Sequence, residues 1–168
     1  HNAAGITPAA FIALKSKYMI RDTKLVSEKK NIKFIFNSYF PIKTVNFMRG
    51  AIIAEKRNFE KIYIEKIFNS IWKDGLNMND PIVINKVIKN LDLNPKTFMS
   101  ETTDQKIKDK LRKITEEAFK KGIFGAPTFL VNKKIFWGQD RLSYAIDEAK
   151  NKWEKLNRIK RVFYQNYL

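Results

Sequence analysis

A chain of 168 residues with 44% apolar side chains is long enough to bury one core, with room for a subdomain inserted into it. Having no cysteine, it holds no disulfide, thiolate metal site or redox pair of its own, and a single histidine at position 1 excludes an internal histidine-based triad. The formal charge of +16 suits a polyanion, yet lysine is spread along the chain with Ile, Asn and Phe; this reads as composition bias on a solvated surface, whose positive field still favours small anions.

No run approaches the roughly 18 consecutive apolar residues of a membrane helix, and HNAAGITPAA lacks the charged and apolar regions of a signal peptide. The expected compartment is therefore cytoplasmic. From Pro8 to Ile20 the pattern predicts an irregular turn and a short helix. IKFIF, residues 32–36, follows the polar cluster SEKKN and is rich in branched and aromatic side chains, which predicts a short strand.

Residues 44–90 turn helical, with Val45, Met48, Ala51 and Ile52 on one face and Phe59, Ile62, Ile67, Ile71 and Trp72 on another. Asn79 or Asp80 is placed to cap a helix that carries Pro81 in its first turn. TTDQKIKDKLRKITEEAFKKG predicts a further helix, with Ile107, Leu111, Ile114, Ala118 and Phe119 on one stripe and Gly122 at its stop. PTFLV and KIFW then read as a hairpin turning at Asn132 and Lys133. Leu142, Ala145, Ile146, Ala149 and Trp153 predict a last amphipathic helix that begins near Gln139 or Asp140. Strand, helical block, strand, strand, helix is an α/β pattern with a helical insertion.

The stretch GIFGAPTFLVNKKIFWGQDR, residues 122–141, concentrates the chemistry. The residue before a proline is held extended, so Ala126 is placed to offer its N–H and C=O to an extended ligand as an added strand would. A cis bond at Pro127 is one option; sequence physics alone favours the other, a trans proline opening an edge strand. Gly138 to Arg141 open the last helix, where Asp140 is either a cap or a partner for a ligand ammonium.

GIFGAPTFLVNKKIFWGQDRLSYAI resembles the C-terminal part of the 2-hydroxychromene-2-carboxylate isomerases and the related kappa-class glutathione transferases. KSKYMIRD at 15–22, FPIKTVNFMR at 40–49 and IWKDGLNMNDP at 71–81 fit the same family in order. The resemblance implies a thioredoxin-like fold of the DsbA superfamily, residues 1–36 with 122–168, interrupted by a helical domain at 37–121. It also implies bound glutathione. Ala126 beside Pro127 would pair with the glutathione peptide, Asp140 with Gln139 would hold the γ-glutamyl end, and Lys15 would approach the glycyl carboxylate. Without the resemblance, Lys15 is an ordinary surface lysine.

Two departures from the family pattern stand out. The asparagine the family usually carries after the early glycine is here Ile6. The family's catalytic serine lies on the loop after the first strand, roughly thirty or more residues upstream of Gly5. The resemblance therefore implies that the first strand and catalytic loop are absent from this chain, an N-terminally incomplete record. No catalytic residue is assigned, and the role is not transferred to Ser16 or Ser27.

The expected activity is glutathione-dependent isomerisation of a small 2-hydroxychromene-2-carboxylate-like aromatic substrate, in a family commonly dimeric, with no metal and no membrane partner. A kappa-like transferase and a DsbA-type disulfide oxidoreductase are the neighbouring alternatives. A nucleic-acid binding module built on the basic tail NKWEKLNRIKRVFYQNYL is the alternative of another class; the helical spacing of Trp153, Leu156 and Phe163 weighs against it.

Overall fold

In the computed structural model, which describes Gly5 and residues 7–151, the chain folds as two units: residues 7–116, and residues 117–168 together with 1–6. The C-terminal residues Trp153, Leu156 and Phe163, and Ile6, lie outside the described residues.

The helical unit opens with a 3-10 turn at Ala9–Phe11 and then α1, Ala13–Lys29. At 17 residues α1 is longer than the short helix expected, because the polar residues of its second half are satisfied locally. The Thr23 hydroxyl donates to Met19 O at 2.7 Å and that of Ser27 to Lys24 O at 2.8 Å, so neither competes with the helix. Asn31, with φ of 51°, stops it: its N–H donates to Glu28 O and that of Ile32 to Ser27 O, closing the orphan carbonyls of the last turn.

Residues 32–36 do not form the strand predicted for them. The segment is extended but joins no ladder; Ile35 N–H donates instead to Trp72 O at 2.7 Å, and Phe34 stacks on Trp72 with ring centroids 5.8 Å apart. Aromatic packing against a helix end has taken the place of strand pairing, which needs a neighbour to realise β propensity. Asn37, 1% exposed, then fastens the chain: its Nδ2 donates to Ile71 O and Leu76 O, and its Oδ1 accepts from Tyr39 N–H. The Phe40–Pro41 peptide that follows is cis.

α2 (Val45–Lys56) and α3 (Glu60–Trp72) pack through a face offset from the predicted one. Ile52, Ile67 and Ile71 are buried as predicted, but so are Phe47, Gly50, Ile53 and Ala54, whereas Val45, Met48 and Ile62 face solvent. Gly50 sets this offset, because a Cβ there would fall on the Tyr63 ring. Tyr63 in turn donates its hydroxyl to Phe47 O at 3.1 Å and lies against Phe98 at a centroid separation of 5.6 Å.

α4 (Pro81–Lys89) begins as predicted, and of the two candidate caps it is Asp80 that accepts from Ile82 N–H. α5 (Pro95–Glu101), absent from the prediction, uses the same pairing of cap and proline, with Asn94 accepting from Thr97 N–H. α6 (Gln105–Lys120) buries Ile107, while Ile114 and Phe119 stay exposed on the same predicted stripe. The core gathers Phe47, Ile53, Tyr63, Ile67, Ile88, Phe98 and their neighbours.

In the second unit, Gly122 at φ of 80° ends α6 as expected, its N–H donating to Phe119 O and that of Ile123 to Ala118 O. β1 (Thr128–Val131) and β2 (Lys134–Trp137) form the predicted hairpin, antiparallel, with Val131 opposite Lys134 and Thr128 opposite Trp137. Asn132 and Lys133 both have left-handed backbones, φ of 52° and 66°, the geometry of a two-residue turn matched to strand twist. A 3-10 turn at Gln139–Arg141 leads into α7, helical over the described residues 142–151, so the regular helix begins one turn later than predicted. Glu148 of α7 binds the hairpin: Asn132 donates to its backbone and carboxylate, and Lys134 pairs with it at 2.8 Å. Among the described residues no helix is long and apolar enough to cross a membrane.

Candidate functional site

The loop between α6 and β1 is fixed on either side of Ala126. Trp137, at the end of β2, lays its indole over Gly125, where a Cβ would collide with it, and meets the Phe124 ring at a centroid distance of 5.1 Å. The Thr128 hydroxyl donates back to Gly125 O. Pro127 O accepts from Gly138 N–H at 2.9 Å, closing the open end of the hairpin. Between these ties Ala126 is exposed, and neither its N–H nor its C=O has a partner among the described residues. The Ala126–Pro127 peptide is cis, the option sequence physics alone ranked second.

The bond from Gly138 to Pro127 also carries the next two predicted residues to this end of the hairpin. Gly138 has φ of 101°, and a Cβ on it would meet Asp140 Oδ1, so the turn requires glycine both for its backbone and for the carboxylate folded over it. Asp140 Oδ2 accepts from Arg141 at 2.9 Å, and the Arg141 guanidinium lies 5.6 Å from the centroid of the Tyr144 ring. Gln139 is exposed and its side chain makes no hydrogen bond among the described residues.

Ala126, Pro127, Gln139 and Asp140 are thus brought together by one hairpin. Lys15 is not part of that cluster: it sits in the first turn of α1, exposed, in the unit of residues 7–116. The hairpin offers one main-chain donor and one main-chain acceptor at Ala126 and, beyond the Gly138–Pro127 bond, the Asp140 carboxylate, which is what an extended peptide with an ammonium group would use. Among the described residues no group of His, Asp or Glu is placed to hold a metal ion.

Sequence reasoning missed the part played by Trp137 and Gly125. The signal was available: a glycine two residues before a proline, with an exposed tryptophan at the far end of the paired strand. It also missed a cavity in the helical unit, lined by Phe34, Phe36, Phe40, Phe68 and Trp72 with residues of α1. Alternating phenylalanines in IKFIF read as strand, and Trp72 as a core-face residue.

The family model described as DSBA-like thioredoxin domain matches residues 1–147. A curated 2-hydroxychromene-2-carboxylate isomerase of Sphingobium xenophagum is 24% identical over 130 residues, 77% of this chain and 66% of the relative. One of Pseudomonas sp. (strain C18), of the same name, is 21% identical over 131 residues, 78% and 61% of the two chains. The chain therefore spans less than two thirds of the length of these relatives. A solved 2-hydroxychromene-2-carboxylate isomerase superposes with a TM-score of 0.78 at 18% identity, covering 93% of this chain and 76% of that one. This chain, whose described residues include one two-stranded sheet, belongs to the family of DsbA-like thioredoxin domains.

Proposed function

We propose that this chain serves in a glutathione-dependent isomerase acting on 2-hydroxychromene-2-carboxylate-like aromatic compounds. The observation that supports this most directly is the exposed and unpaired main-chain donor and acceptor of Ala126, on a family fold whose distant relatives bear the isomerase name. Such a pair fits the backbone of a short extended peptide, which would add to this edge as a strand adds to a sheet.

In this reading Ala126 and Pro127 position the glutathione peptide, and Asp140 with Gln139 receives the ammonium of its γ-glutamyl end. Asp140 already pairs with Arg141, so the ammonium would share that carboxylate. Lys15 would attract the glycyl carboxylate. Bound glutathione supplies the thiol nucleophile that a cysteine-free chain lacks. The division into a thioredoxin-like part, 1–36 with 122–168, and an inserted helical part, 37–121, belongs to the same proposal, as do a cytoplasmic location and a homodimer.

Titration calorimetry of the chain with reduced glutathione tests it. Binding is expected in the micromolar to millimolar range, and Asp140→Asn should weaken it by roughly fivefold, about 1 kcal/mol, the scale of one charge-assisted hydrogen bond at an exposed site. No heat at millimolar glutathione would sink the proposal.

A further inference from the structure

A cavity of about 480 Å³ lies wholly within residues 7–116, inside the usual range of roughly 300–1,000 Å³ for small-molecule sites. α1 contributes Ser16, Met19 and Thr23 from one helical face, and α3 contributes Phe68 and Trp72, one turn apart. The extended segment that replaced the predicted strand supplies Phe34 and Phe36, with Phe40 beyond them.

The rings form a cluster centred on Trp72. Phe34 stacks on it with an interplanar angle of 16°, while Phe36 and Phe40 lie tilted at centroid distances of 6.2 and 6.0 Å. Phe68 is 61% exposed and Phe36 and Phe40 about two fifths exposed, so these rings are not filling a core. Among the described residues no charged side chain lines the cavity. Its side-chain polar groups are the indole N–H of Trp72 and two hydroxyls. That of Thr23 spends its hydrogen on Met19 O, whereas that of Ser16 makes no hydrogen bond among the described residues.

We propose that this cavity is a binding site for an uncharged planar aromatic compound of two or three fused rings carrying a hydroxyl or carbonyl group. Offset stacking among the aromatic walls would hold the rings, and Ser16 would meet the polar substituent. The net charge of +16 points the other way, toward aromatic carboxylates. The lining decides the matter: a carboxylate entering it would lose its water with no cation among the described residues, and only a hydroxyl and an indole N–H, in return. The field of distant surface lysines is screened within about 8 Å at physiological salt and does not replace those partners. The proposal goes beyond the glutathione reading and does not depend on it, because none of Lys15, Ala126, Pro127, Gln139 and Asp140 lines the cavity.

Titration of the full chain with 1-naphthol and with 1-naphthoate, which share a ring system and differ in charge, tests it without glutathione. The expected result is at least tenfold tighter binding of 1-naphthol. Phe68→Ala, at an exposed wall position, should weaken that binding roughly fivefold with the helical circular dichroism unchanged. Should that variant fold poorly, Ser16→Leu, which crowds the cavity from the α1 side, is expected to weaken it as well. Equal or tighter binding of 1-naphthoate overturns the proposal, as does absence of 1-naphthol binding up to its solubility, or unchanged affinity in a folded variant. Since neither probe has a thiol or a peptide group, such a failure leaves the glutathione reading intact, and failure of glutathione to bind leaves this one intact.

Discussion

The helical unit and the hairpin unit are built on opposite terms. In residues 7–116 close side-chain packing fixes the backbone: Tyr63, Phe98, Met78 and Ile88 are almost wholly enclosed, and α2 takes its orientation from the one residue, Gly50, that lets Tyr63 through. In residues 117–151 only Ala145 is buried among the described residues, and geometry comes from left-handed turns, caps and ties between backbone groups. Bulk holds the first, whereas conformation holds the second. Among its described residues, the unit with fewer buried side chains leaves the main-chain groups of Ala126 unpaired.

The comparison breaks most readily at Gly50. Gly50→Ala should destabilise the helical unit by about 3 kcal/mol, the upper part of the usual range for overpacking, because the methyl and the Tyr63 ring claim one space. Chemical denaturation followed by helical circular dichroism measures it. A loss below about 1 kcal/mol would show that α2 and α3 slide freely and that packing does not fix their register.

Tyr63 gives a pH-dependent version of the same test. Burial holds its phenol above the ordinary value of 10.0. The neutral form is thus favoured in the folded chain, and its contribution is fully present below pH 10. As pH rises past that point the unfolded chain releases the proton first, and stability is lost by up to about 1.4 kcal/mol per unit until the folded group ionises too. Tyr63→Phe should remove this alkaline loss while costing about 1 kcal/mol at neutral pH for the hydrogen bond to Phe47 O. Denaturation midpoints from pH 8 to 11 compare the two; parallel profiles would count against burial of the phenol.

The smallest effect belongs to the hairpin and has the opposite sign. Lys133 holds φ of 66°, a region that costs a side chain roughly 1 kcal/mol and glycine almost nothing. Lys133→Gly should stabilise the hairpin by about 0.5–1 kcal/mol, seen as slower amide exchange at Val131 and Lys134. Faster exchange would mean that the Lys133 side chain, rather than its backbone, sustains the turn.

What the sequence made legible follows the same division. Stops and starts written in single residues were read correctly: a cap at Asn79 or Asp80 before Pro81, filled by Asp80, Gly122 after α6, and the turn at Asn132 and Lys133. Asn94 before Pro95 says the same thing and was passed over, since α5 is only 7 residues long and shows little periodicity. Faces of helices were harder, because the orientation of α2 depends on a glycine meeting a tyrosine 13 positions away. IKFIF failed as a strand for a related reason: its rings found Trp72, far along the chain, before any strand. The hairpin cluster of Ala126, Pro127, Gln139 and Asp140 was legible because it is local, whereas the aromatic cavity joins three distant segments and was not.

Asn37 links folding to the chemical lifetime of the chain. It precedes Ser38, a pairing of asparagine with a small residue that hydrolyses readily to aspartate when the backbone is free to bend. In the folded chain both amide hydrogens are engaged by Ile71 O and Leu76 O, and the side chain is sealed from water. Aspartate in that place would turn an acceptor toward two carbonyls; Leu76 O would keep the Met78 N–H, but Ile71 O would lose the donor that Asn37 supplies. A molecule that lingers unfolded thus accumulates a change at a buried residue that helps to fasten this segment, and age acquired there is carried into every later attempt to fold.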